Sequence, residues 1–335
     1  MTTRCSASSG RPVRRHHRRA VGVKLLILAA AAAFILAVSA ACGPGYEGET
    51  IKFQSSPAAD SGSPVASERA ETLIRMAVAP VISPRETFNS RYRDLLDYIG
   101  RELGLPVELV QGKTYAEIND MVRAGDVTFA FVCTNPYLQG KDDFGMELLA
   151  APEVNGGTTY YSYLVVRADS SFGSLADLRD RTFAFSDPLS NSGRLVPVYQ
   201  LAIMGETPES FFSRSIFTYA HDNSIKAVAE NLVDAAAVDS LVYDYWVKTG
   251  SEFTSKTKVV EKWGPFGINP VVVRPGLDPA LKARLQEVLL GMDEDAAGRE
   301  ILSSLFINRF VVPDERIYDS VRDMREVVAS TGTGE

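Results

Sequence analysis

Apolar and polar positions along this chain alternate between a helical and a strand-like period. Residues 74–81 read as a strand. Ser83 and Pro84 then open a helix whose Phe88, Tyr92, Leu95, Leu96, Ile99 and Leu103 share one face. Residues 107–110 form a second strand and 115–123 a second helix, stopped near Gly125. Residues 127–132 are apolar almost throughout, as in a strand buried on both faces. Residues 134–137 suggest a turn or short helix, and 146–151 another strand. The long run TYYSYLVVR at 159–167 leads into a second series. A helix is expected at 174–179, a strand at the start of TFAFSDPLSNSG (182–193), and then a helix holding Leu195, Val198, Leu201 and Ala202. A strand at 215–220 follows, with a helix at 223–230 capped by Asp222 and Asn223, and a strand at 235–238. Residues 268–274 are strand-like again. Leu281, Leu285, Val288, Leu289 and Met292 mark a further helix, and helical signal continues to Val328.

Strands alternating with helices argue for α/β architecture with mostly parallel sheets. Two such series, with long connecting strands near residues 160 and 270, predict two lobes joined by a two-stranded hinge. The expected boundaries are 73–161 with 268–335 for one lobe and 162–267 for the other. A chain of 335 residues is long enough to bury both cores.

The segment ahead of this body changes the picture. Arg4, Arg11, Arg14, Arg15, Arg18, Arg19 and Lys24 form a basic leader without acidic residues, followed by 17 apolar or small residues from Leu25 to Ala41. That is the composition of an export signal over 1–41. It ends in Ser39-Ala40-Ala41-Cys42-Gly43, which resembles the lipobox of bacterial lipoproteins and makes Cys42 the expected site of acylation. Residues 42–72, rich in Gly, Pro, Ser and Ala, read as a flexible tether. The body is therefore expected outside the cytoplasm, held to a membrane by lipid.

Without the seven basic residues of the leader, 28 basic residues face 42 acidic ones, a net charge of −14. Such a body lacks the positive field that nucleic-acid binding needs. Three cysteines, one in the leader and one at the lipid site, leave Cys133 alone as a small buried hydrophobe and exclude a disulfide framework. His221 is the one histidine outside the leader, so a zinc site built on histidines is not expected, nor is any other cofactor.

Candidate chemistry lies at strand ends, where α/β sheets collect ligands. Ser83, Thr134, Asn135, Ser190, Asn191, Ser192, His221, Asp222, Asn223, Asp239 and Ser240 stand there, with Tyr115 near a helix start and Tyr160 and Ser162 on one strand face. Hydroxyls and amides dominate, and cations are scarce. Such a set suits a small oxyanion held by neutral donors and a helix N-terminus. Asp239 would repel a fully ionised anion. It favours one that brings a proton, as phosphate, phosphite and phosphonate do and sulfate does not, or else it contacts an ammonium group of the ligand. Ser192, His221 and Asp239 could also form a hydrolase triad, but Ser192 lies in N-S-G-R and not in a G-x-S-x-G elbow.

The segments VCTNPY, YYSYLVV, FAFSDPLSNSG, FTYAHDNSIKAV, VDAAAVDSLVYDY and GPFGINPVVV, in this order between Ile74 and Val328, resemble the phosphate-, phosphite- and phosphonate-binding lipoproteins of ABC importers, the PhnD-like family. The resemblance implies a two-lobed type II periplasmic binding protein fold that closes on its ligand and catalyses no reaction. It implies that Ser190, Asn191 and Ser192 grip the oxyanion, helped by Tyr115, Tyr160 and His221. Where relatives often carry an acidic residue before the returning hinge proline, this chain has Asn269 before Pro270, which favours phosphate, phosphite or a simple phosphonate over an aminoalkylphosphonate. The implied partners are a membrane permease and its ATPase, with the binding protein itself a monomer. A sensor for a membrane signalling partner and an enzyme of phosphorus ester metabolism are the alternatives.

Overall fold

The structure, a computed structural model, describes residues 73–83 and 88–332. The leader, Cys42, the tether and the helix start expected at Pro84 lie outside the described residues.

Eleven strands are found among the described residues: β1 (Ile74–Val78), β2 (Val107–Gln111), β3 (Phe129–Phe131), β4 (Glu147–Glu153), β5 (Thr159–Arg167), β6 (Thr182–Phe185), β7 (Arg214–Phe217), β8 (Ala235–Asp239), β9 (Thr257–Gly267), β10 (Val271–Val273) and β11 (Arg309–Val311). The principal helices are α1 (Phe88–Leu103), α2 (Tyr115–Ala124), α3 (Thr134–Phe144), α4 (Val196–Ile203), α5 (His221–Ala229), α6 (Ser240–Lys248), α7 (Pro279–Leu290), α8 (Ala296–Ser304) and α9 (Asp319–Ser330). The strands build two sheets, ordered β11-β4-β10-β3-β1-β2 and β7-β6-β8-β5-β9.

The first sheet is sandwiched because its strands are apolar on both faces. Ile74, Met76 and Val78 of β1 pack with Leu95 and Ile99 of α1 and Leu285 and Leu289 of α7. Ala77 and Ala79 face the other way, into a core holding Tyr115, Ile118, Tyr137 and Val321. Each such side chain, fully buried, contributes about 1.5–3 kcal/mol. In the second sheet β8, with the sequence AAAVD, is buried at every position. Its alanines let helices approach closely on both sides.

Several elements differ from the sequence reading. Residues 134–137 begin a full helix, α3, ended by Gly145 in the left-handed conformation (φ 77). The expected helix at 174–179 is one tight turn, Leu175–Leu178. Helical signal does not run unbroken to Val328, because β11 interrupts it and pairs antiparallel to β4. The largest departure is β9, an 11-residue strand in which no clean alternation warns of its presence. It pairs antiparallel to β5 from Thr159↔Gly267 to Arg167↔Thr257. The long partner of β5 is thus β9, while residues 271–273 return as β10 to the first sheet. Both sheets are mixed: β10 and β11 run antiparallel to their neighbours in the first, and β5 runs antiparallel to β8 and β9 in the second.

Candidate functional site

The parallel strands β1 and β3 of the first sheet and β6, β7 and β8 of the second end where the polar residues begin. Beyond β6 come Ser186 and Asp187, then a wide turn over Asn191–Leu195 in which the Leu195 amide donates to the Ser190 carbonyl at 2.9 Å. This five-residue spacing is a π turn, a local widening common at ligand sites. Ser190 caps it, its Oγ accepting from the Gly193 amide at 3.0 Å. Ser162 of β5 locks the turn from the side, donating to the Ser192 carbonyl at 2.7 Å. A side chain at residue 193 would strike Ser186 and come within 3.0 Å of His221 Cε1, so only glycine fits there.

His221 is the first residue of α5 and not the end of a strand; Ala220 stands at the cap, and neither Asp222 nor Asn223 caps the helix. Nδ1 accepts the Asp239 amide at 3.1 Å and faces Ser186 Oγ at 2.8 Å. The proton therefore sits on Nε2, which faces Ser190 Oγ at 3.4 Å. Burial pushes the imidazole down from 6.5 to about 3, so it is neutral. Ser190 Oγ receives hydrogens from Gly193 and His221 and has its own left to give.

Asp239 closes β8 and caps α6, accepting from the Leu241 amide at 2.8 Å, while its other oxygen accepts from Asn269 Nδ2 at 3.1 Å. Burial raises the carboxyl from 3.8 to about 7, against the pull of those donors. The carboxyl therefore keeps its proton well above the pH at which an exposed aspartate ionises. Tyr160 Oη accepts from Asn191 Nδ2 at 2.9 Å. Burial keeps the phenols of Tyr115 and Tyr160 well above their ordinary range, hence as O–H donors.

Three polar atoms in this neighbourhood are buried without a partner: Tyr115 Oη, Asn191 Oδ1 and Ser192 Oγ. Orphaned polar atoms cost about 1–3 kcal/mol each, and three around one turn mark a place where something else completes the bonding. No Lys or Arg is buried among the described residues. The setting is one of neutral donors throughout.

Of the residues singled out in the sequence, Ser190, Asn191, Ser192, His221, Tyr115, Tyr160 and Asp239 come together here, and all are buried. Thr134 and Asn269 stand behind them. Thr134 Oγ1 donates to the Gly267 carbonyl at 2.7 Å, and its amide donates to Asn269 Oδ1 at 3.3 Å. Ser83 is used otherwise: its amide donates to Asp222 Oδ1 at 2.8 Å and its hydroxyl to Oδ2. Cys133 was read as filler, yet the amides of Asn191 and Asn135 and the Tyr160 hydroxyl surround its thiol, which burial raises to about 12. A cysteine on an apolar run carries no signal that would reveal this.

Further bonds join the two series of elements across the site. Asp187 accepts from the Tyr115 amide at 3.2 Å, Asn135 Nδ2 donates to the Leu189 carbonyl at 3.0 Å, and the His221 amide donates to the Val81 carbonyl at 3.0 Å.

Two mixed sheets meeting over a cluster of buried polar side chains define a binding protein of the type II periplasmic class. Residues 76–318 match the family model described as ABC transporter, phosphonate, periplasmic substrate-binding protein. The chain belongs to that family. It is 25% identical over 248 residues to the phosphonates-binding periplasmic protein of Escherichia coli K12, covering 72% of this chain and 73% of that one. It is 26% identical over 339 residues to the phosphate-import protein PhnD of Mycolicibacterium smegmatis, covering 95% and 98%. Among solved structures, the binding protein component of an ABC phosphonate transporter from Pseudomonas aeruginosa superposes with a TM-score of 0.73 at 24% identity, covering 78% of this chain and 87% of the other. The protein is thus a substrate-binding protein of the ABC phosphonate transporter family, a class that works outside the cytoplasm.

Proposed function

We propose that this chain is a lipid-anchored, monomeric binding protein that captures a phosphorus oxyanion between lobes 73–161 with 268–335 and 162–267, and passes it on chemically unchanged. Cys42 carries the lipid, and residues 42–72 tether the body to it. The observation that carries the reading is the trio of unpartnered atoms on Tyr115, Asn191 and Ser192 beside a neutral His221. The Tyr115, Ser190 and Ser192 hydroxyls donate to the anion. Asn191 Oδ1 and the Asp239 carboxylate, both acceptors, take the proton that a phosphorus oxyanion retains near neutral pH. Sulfate has no such proton and is refused by the same atoms. His221 serves as a positioning residue that fixes the direction of the Ser190 hydroxyl. Closure is stabilised by whatever the ligand binds better in the closed state, which is all an importer requires of this component.

Isothermal titration calorimetry of the purified body against phosphate, phosphite, methylphosphonate and sulfate tests the reading. Binding of at least one phosphorus oxyanion with sulfate silent is the expected result. Equal affinity for sulfate, or silence from all four, overturns it.

A further inference from the structure

Beside the polar cluster lies a cavity of about 220 Å³ that the proposed anion contacts leave unused. Its walls include Val81, Phe131, Leu241, Tyr245, Leu305 and Ile307, drawn from both series of elements. Asp239 and Asn269 also line it, hydrogen-bonded to each other. Asp239 belongs equally to the polar cluster, through its amide on His221 and its register opposite Ser162. One carboxyl therefore links the cluster to the cavity.

Size and chemistry narrow the occupant. An apolar cavity of about 150 Å³ is enough to hold benzene. A space of 220 Å³ accepts a phenyl ring or a branched alkyl group. Inorganic phosphate or phosphite would leave these walls without packing partners. Besides Asp239 and Asn269, the charged and amide side chains of the lining are Lys248, Asn155 and Asp244, and Lys248 Nζ is 3.5 Å from Asn155 Oδ1.

We propose that the ligand is an organophosphonate with an apolar substituent of aryl or branched-alkyl size, its oxygens at Tyr115, Asn191 and Ser192 and its substituent passing Asp239 into this cavity. The inference rests on the phosphorus-oxyanion reading of the site. A singly protonated phosphonate gives its hydrogen to Asp239 or Asn191 Oδ1, and its carbon substituent leaves on the side away from the hydroxyls.

Calorimetry with methylphosphonate, phenylphosphonate, 2-aminoethylphosphonate and phosphate tests this on the full mature chain. Phenylphosphonate should bind about tenfold or more tightly than methylphosphonate, from the apolar area it buries. Leu305→Trp, which fills the cavity from a wall remote from the hydroxyls, should erase that advantage and leave methylphosphonate within about twofold. If Leu305→Trp melts early, Ile307→Phe replaces it, and the wild-type ranking decides by itself. Methylphosphonate or phosphate binding with phenylphosphonate excluded overturns the inference and leaves the oxyanion site standing. Preference for 2-aminoethylphosphonate also overturns it, by assigning the cavity to an ammonium near Asp239 and Asp244. Failure of every phosphorus ligand sinks the underlying reading instead.

Discussion

At the scale of single residues, unsatisfied atoms and displaced proton affinities make opposite demands on stability and binding. Ser192→Ala removes a buried hydroxyl that has no partner within the protein. Ligand affinity should fall by about 1–3 kcal/mol while the ligand-free melting temperature holds or rises. Calorimetry and a thermal melt on one sample check both halves, and a fall in both would make Ser192 a structural residue. Asp239 and His221 shape the pH dependence with opposite signs. The Asp239 carboxyl is raised from 3.8 to about 7, so its contribution is complete below about pH 3.8 and lost as pH rises through 7. His221 is lowered from 6.5 to about 3, so its contribution is present above 6.5 and lost as pH falls through 3. Between these limits the two offset each other. The unfolded imidazole still loses its proton around pH 6.5, and Asp239→Asn keeps His221, so the difference between the two proteins isolates Asp239. Urea unfolding at pH 6.5 and 7.5 should show the ligand-free wild type losing stability relative to Asp239→Asn. Parallel behaviour of the two proteins would remove Asp239 from the account.

At the scale of elements, the Ser83–Asp222 bonds join the segment after β1 to the first turn of α5. With the His221 amide on the Val81 carbonyl they tie the two series of elements together on one side. Ser83→Ala should weaken that tie without touching Tyr115, Ser190 or Ser192. We expect affinity to fall about three- to tenfold and the ligand-free radius of gyration in solution scattering to grow. Unchanged scattering and affinity would show that other contacts hold the cleft. Elements with a strong period and a stop signal were legible: α2 begins at Thr114, whose side chain accepts from the Glu117 amide, and ends at Gly125 with φ 79. The strand β9 was not legible, because TKVVEKWGPFG is half-exposed, carries charge on both faces and holds a proline and two glycines. Its pairing with β5 depends on a partner 108 residues away at Thr159↔Gly267 narrowing to 90 at Arg167↔Thr257, a separation no local window contains.

At the scale of the whole molecule, export and anchoring should follow from residues 1–42 alone. Cys42→Ala should move the protein from the detergent phase to the aqueous phase in a cloud-point partition, with ligand binding by the body unaffected. Retention in the detergent phase would point to the apolar run at 25–41 as an uncleaved anchor. Residues 42–335, at −14, keep a general positive field out of the binding step. Selection then rests on a few directed hydrogen bonds.

The amino-acid order by itself determined the α/β class, the exported acidic body and the polar residues at strand ends, since these follow from local periodicity, composition and short capping signals. Tertiary structure alone decided that β9 pairs with β5, that Cys133 sits amid the donors, that Ser83 is taken up by Asp222, and that Asp239 borders a second cavity. Each of those depends on distances between residues far apart in the chain, and on burial that only packing creates.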